Sequence, residues 1–176
     1  MKLELIRELL QHQYEAALAT LAHCLKACPD ASWDAPVAKY PFSQSAFHTL
    51  FFADYYLEPE ADSFPSQAFH HEHPSLFGDY EQLRDVEPTS VYTREQLAMY
   101  LRFVTEKVAR SLDAETDESL AAPAKFPRKA FTRAELHVYN IRHVQHHAAQ
   151  LILKLRVDAQ ASIPWYRSGW EDRFLG

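Results

Sequence analysis

Leu3, Ile6, Leu10, Tyr14, Ala17, Leu21 and Leu25 recur at intervals of three and four from the start of the chain. An α-helix completes a turn in about 3.6 residues, so this spacing lines one face of a helix with an apolar stripe. The stretch predicts a first helix over residues 2–28, stopped at Pro29, whose ring cannot continue it. Such a stripe has to be covered, and a covering helix is the simplest partner for a long helix.

Three further stretches offer that cover. Ser43 is a candidate N-cap for a second helix running to residue 57, with Phe47, Phe51, Phe52, Tyr55 and Tyr56 along it. Thr93 and Gln96 form a capping-box pair that opens a third helix over 93–113, with Leu97, Leu101, Val104, Val108 and Leu112 on one face. Thr132 and Glu135 form a second such pair, opening a fourth helix to residue 157. With no convincing strand, the expectation is all-α: one four-helix-bundle domain spanning 1–176, which 47% apolar residues suffice to fill.

The connections differ in kind. Residues 29–42, with Pro36 and Pro41, read as loop. Residues 58–92 lose periodicity and carry Pro59, Pro65, Pro74 and Pro88. A structureless link of that length is uncommon inside a compact domain, so it is expected to hold a short helix near 76–83 or to build the mouth of a site. The tail after residue 161 holds Trp165, Tyr166, Trp170 and Phe174, aromatics expected to dock on the bundle.

Charge and cysteine usage narrow the partners. With 24 acidic against 18 basic residues and a net charge of −6, no basic surface is available for nucleic acid or anionic membrane. The most apolar window, residues 47–57, is interrupted by His48 and Asp54 and is far shorter than the roughly 20 residues of a membrane span. Cys24 and Cys28, four apart on one predicted helix, suit neither a disulfide nor a CxxC site. They read as buried free thiols of a cytoplasmic protein.

Ten histidines remain to be explained. His70, His71 and His73 lie in the HHEH run, where adjacent loop residues cannot all face one ion. The fourth helix carries His137, His143, His146 and His147. Residues four apart lie one turn above each other, so His143 and His147 can aim at one point; His146 would serve through an i, i+3 pair, and periodicity alone does not choose. That face runs on through Leu136, Asn140, Gln150 and Lys154, more polar than a purely structural stripe. His48 falls within the inward aromatic stripe of the second helix, where a lone histidine is ordinarily a hydrogen-bonded core residue.

The succession of a long first helix, SAFHTLFFADYYL, a helix opened by TREQL and a last helix with IRHVQHHAAQL resembles the DinB-like (DinB/YfiT) superfamily of metal-binding four-helix bundles over nearly the whole chain. The resemblance implies a divalent metal held by His48, His143 and His147, with Gln150 as the glutamine that follows the last ligand. It prefers His147 to His146. The departure is Ala149, where the family often has glycine. Zinc or nickel is the ion expected first, then iron or manganese.

Three neutral imidazoles leave a metal with open positions, the arrangement of catalytic rather than closed structural sites. The resemblance therefore implies a metal-dependent transferase or hydrolase that activates a thiol or water against a small-molecule substrate, the thiol being of low molecular weight. Homodimers are expected because related bundles often pair. His146, Glu135, Asn140 and Tyr55 are candidate second partners of the ligand rings. The alternative is a non-catalytic bundle devoted to self-association or protein interaction, its histidines buried or merely superficial.

Overall fold

The computed structural model describes residues 3–169, the side chain of Asp79 excepted. Four long helices form the body: α1 (Leu3–Ala27), α3 (Phe42–Leu57), α6 (Arg94–Ala114) and α8 (Arg133–Ala159). Between them lie α2 (Asp30–Trp33), strands β1 (Pro36–Val37) and β2 (Tyr40–Pro41), α4 (Ala68–Glu72), α5 (Pro74–Phe77) and α7 (Asp117–Ala121). Two 3₁₀ segments, Ala61–Ser66 and Gly78–Leu83, complete the crossover. Among the described residues no helix is long and apolar enough to cross a membrane.

Each long helix packs on two others: α1 on α6 and α8, α3 on α6 and α8. Side-chain pairings set their directions. Tyr14 meets His137 and Cys24 reaches Ala148, so α1 and α8 run parallel. Asn140 reaches Ala53 whereas Arg133 reaches Leu57, so α3 and α8 run antiparallel. Tyr100 bonds Asp54 and Ser111 bonds Leu57, making α3 and α6 parallel. Parallel neighbours cannot be joined by a tight turn. The connection over 58–93 is long because the chain must travel back along the bundle before α6 can start.

The core is aromatic. Tyr14, Phe42, Phe47, Phe51, Phe64 and Tyr100 are almost wholly buried, and the Phe47 and Tyr92 rings stack at 3.8 Å. Each such side chain contributes about 1.5–3 kcal/mol through burial. Thr93 caps α6 with both halves of its capping box formed. Thr132 accepts from the Glu135 amide at 3.2 Å, so the hydroxyl half of the second box is present.

Several expectations need correction. Ser43 is not the N-cap of α3: the helix begins at Phe42, after Pro41, and the Ser43 hydroxyl donates to Asp34. Residues 36–41, expected as loop, form a two-stranded hairpin that returns the chain to α3. The crossover holds α4, α5 and both 3₁₀ segments rather than one short helix. Of the tail aromatics, Tyr166 is buried and Trp165 is 75% exposed. Trp170 and Phe174 lie outside the described residues.

Buried charge ties the crossover to the bundle. Asp54, inaccessible to solvent, accepts from Tyr100 at 2.8 Å, from His70 Nε2 at 3.0 Å and from Lys107. Burial alone raises its carboxyl pKa; the bond from His70 and the charge of Lys107 outweigh that and leave it below the usual carboxylate value. His70 thus leaves the HHEH run to become a core residue, and the Tyr80 hydroxyl lies 3.1 Å from its other ring nitrogen. At the α3 C-terminus, Arg133 donates to the carbonyls of Tyr56, Leu57 and Glu58, groups that no further helical turn can satisfy.

Candidate metal centre

His48 sits in the second turn of α3; His143 and His147 sit one turn apart on the facing surface of α8. Because the two helices run antiparallel, the first half of α3 lies against the later half of α8. The three rings converge: centroids are 5.6 Å apart for His48 and His143, 4.9 Å for His48 and His147, and 4.6 Å for His143 and His147. One ligand nitrogen from each lies within 4.8 Å of the other two. Two metal–nitrogen bonds of about 2.1 Å reach across at most about 4.2 Å, so a small rotation of the rings closes them on one ion. Phe52 packs on His48 at 4.8 Å and on His143 at 5.7 Å, forming one wall of the cluster.

Hydrogen bonds orient two of the rings. His48 Nδ1–H donates to the Gln82 amide oxygen at 2.7 Å, which leaves Nε2 as the lone-pair nitrogen. His147 Nδ1–H donates to the Gln150 oxygen at 3.2 Å, with the same consequence. Gln150 passes its own NH₂ to His146 Nε2 at 3.0 Å, so exposed His146 is joined to the cluster through Gln150 and is not part of it. His143 Nδ1 is buried with no partner, an orphaned atom of the kind a metal ion or ligand satisfies.

Burial also sets the protonation state. It lowers the His48 pKa, against a smaller opposing effect of the Gln82 bond. Burial, then the neighbouring His147 and His48 rings, push His143 down to about 2. His147 falls to about 4, again through burial first and His48 second. Neutral imidazole is the form that coordinates a metal, so the cluster is already in its binding state at neutral pH. A donor set of three neutral nitrogens fits a divalent first-row ion.

A cleft of about 410 Å³ opens beside the cluster, lined by His48 and His147, by Val37 and Tyr40 of the hairpin, and by Gln82 and Val86 of the crossover. The Lys39–Glu87 ion pair joins hairpin to crossover near this opening. A larger hollow of about 720 Å³ lies toward the other end of the bundle, around Lys107, Arg110 and Arg133. Arg133 is committed there to the α3 C-terminus and to Glu115, so that hollow reads as a seam between structural ion pairs. The chain's own thiols offer no nucleophile: Cys24 and Cys28 are buried and free, and burial pushes them up to about 12 and about 11.

The structure brings His48, His143 and His147 together and excludes most of the neighbours expected for them. Glu135 is exposed, Asn140 donates to the Ala53 carbonyl at 2.9 Å, and Tyr55 packs among Phe52, Tyr56, Phe64 and Phe126. Gln82, the partner of His48, was not anticipated. It lies in the stretch without periodicity, and no sequence signal pairs it with a histidine 34 positions earlier.

No curated protein and no solved structure matches the chain. A sequence model described as DinB superfamily matches residues 13–151, a span that includes α3, the crossover and α8 as far as Leu151 with all three histidines. On that match over most of its length, the chain belongs to the DinB superfamily.

Proposed function

We propose that the protein binds a divalent metal ion through His48, His143 and His147 and uses it to activate a thiol or a water for attack on a small electrophile. The observation that carries this reading is the convergence of three neutral imidazoles at the edge of an open cleft. Three protein ligands leave coordination positions for a reactant, whereas structural zinc sites close with four. A divalent ion in such a site supplies Lewis acidity that lowers the pKa of a coordinated thiol or water.

The chain's own residues do the rest. Gln82 and Gln150 hold His48 and His147 with their lone pairs inward. Phe52 packs on the His48 and His143 rings, and the hairpin and crossover form walls against which a substrate is positioned. With Cys24 and Cys28 protonated and buried, the thiol is a substrate, a low-molecular-weight compound small enough for the cleft. Zinc or nickel is the expected ion, since neutral imidazole is a good ligand for both.

The test is metal content. Protein purified without a histidine tag is analysed for bound metal beside His48→Ala and His143→Ala. Near-stoichiometric metal in the wild type, lost in both variants, supports the reading. Wild type that is metal-free and cannot be reloaded refutes it.

A second reading, self-association, is favoured by exposed Leu153, Val157 and Trp165, the first and last of which border one surface hollow. Sedimentation of the wild type and of Leu153→Glu tests it: a dimer that dissociates in the variant supports this reading, and a monomeric wild type removes it.

A further inference from the structure

The cleft beside the histidines contains polar groups that the fold leaves unused. Gln44, in the first turn of α3 and one turn before His48, lines it and is 2% exposed. Neither its NH₂ nor its amide oxygen has a hydrogen-bond partner. Gln82, whose oxygen is committed to His48, also lines the cleft, and its NH₂ is likewise buried without a partner. The same cleft therefore holds two orphaned donor groups and one orphaned acceptor.

Buried amides are ordinarily bonded, because an unmade hydrogen bond in a low-dielectric setting is not recovered from water. Two such failures at one cleft, next to a convergent metal-ligating cluster, distinguish this place from the rest of the described core. Among the described residues the other buried side-chain atoms without a partner belong to Arg7, Asn140 and His143.

The chemistry of the orphans selects a partner. Gln44 presents a donor and an acceptor on one planar edge, which pairs with another group carrying both on one edge. A carboxylate offers only acceptors and would set a charged oxygen against the Gln44 oxygen. An ammonium offers only donors and leaves both NH₂ groups unsatisfied. A primary carboxamide satisfies Gln44 in both directions, and its carbonyl has a second lone pair for a further donor such as the Gln82 NH₂. The walls around these groups, Val37, Val86 and Pro88, suit a short apolar stem.

We propose that this cleft recognises the carboxamide of a small molecule, with Gln44 as its two-way hydrogen-bonding counterpart and Gln82 as an additional donor. The inference rests on reading the cleft as the substrate side of the metal centre. The partner it implies is a neutral, amide-bearing compound whose other end reaches toward His48 and His147.

The experiment measures binding of 3-mercaptopropionamide, 3-mercaptopropionate and methyl 3-mercaptopropionate to the zinc-loaded full chain by calorimetry. In parallel, propionamide and methyl propionate are titrated into the metal-free chain while the Gln44 side-chain amide signal is followed by NMR. A site built to hydrogen-bond an amide discriminates strongly against an analogue lacking the N–H. The amide is therefore expected to bind at least about tenfold more tightly than its ester or acid in the wild type. Gln44→Met, of similar length and without the orphaned groups, is expected to erase that preference while zinc affinity is kept. Equal binding of amide and ester to the wild type overturns the inference, as does a preference that survives in Gln44→Met. Because the propionamide arm needs no metal, an amide preference in protein that fails to take zinc would sink the metal reading and leave this one standing. Zinc binding without amide preference does the reverse.

Discussion

The amide oxygen of Gln82 lies 2.7 Å from Nδ1 of His48, so a residue of the irregular crossover fixes the ring of a histidine on α3. The relationship makes the crossover part of the site as well as a connection. Gly78 starts the 3₁₀ segment that carries Gln82, with a left-handed φ of +40°, and a Cβ there would meet Ser90 Oγ at 3.0 Å. Replacing Gly78 would strain the segment on both counts.

Gln82→Leu is accordingly expected to weaken zinc binding by about 10- to 100-fold, the usual effect of removing a hydrogen bond that orients a ligand histidine. Competition against a chromogenic chelator measures this, with circular dichroism confirming that helix content is unchanged. Unaltered affinity would mean that His48 needs no such support.

His143 combines burial with an unpartnered nitrogen, a cost to the metal-free fold. His143→Leu in metal-free protein is therefore expected to be as stable as the wild type or more so. The wild type should gain about 2.7 kcal/mol when free zinc exceeds its Kd a hundredfold, and the variant little. Urea denaturation with and without zinc separates the two effects.

The histidine pKa values give the pH dependence its sign. His143 and His147 sit at about 2 and about 4 in the fold, below the ordinary 6.5. As pH falls through 6.5 the unfolded chain takes up protons that the folded chain refuses, so metal-free stability should decline from there downward. Each refused proton contributes a slope of about 1.4 kcal/mol per pH unit. Denaturation curves between pH 7 and pH 5 should show this fall, and His143→Leu should flatten it by about one proton. Zinc affinity of the folded chain should hold across the same window and fall only as pH nears about 4, where His147 takes up a proton in competition with the metal.

Lys107 donates to Asp54, is buried, and also reaches Gln67 Oε1 at 2.7 Å and Glu58 at 2.5 Å. Lys107→Met leaves a buried carboxylate short of its cation. Such a break is expected to cost at least about 3 kcal/mol, or roughly 6–12 °C in Tm for a chain of this size. Adding Asp54→Asn should restore part of that loss, and thermal melts of the two variants test the coupling.

The residues differ in how far they could be read in advance. The four long helices were visible because their cores repeat every three or four positions and because Thr93 and Thr132 carry their caps in the sequence. Ser43 misled because a serine beside a helix start resembles a cap whether or not its hydroxyl turns back, and here it turns to Asp34. His70 looked like part of a loop cluster, yet Asp54 draws it into the core across 16 positions.

By itself the sequence determined the all-α architecture and the one-turn spacing of His143 and His147, because both depend on contacts within a single helix. A resemblance in motif added His48. Only the tertiary structure decided which residues would serve them: the antiparallel packing of α3 on α8 brings the three rings within reach, and the return of the crossover places Gln82 on His48 and leaves Gln44 facing the cleft unpaired. These are contacts between distant segments, set by how helices and a non-periodic chain pack around a shared core, and no local pattern of residues encodes them.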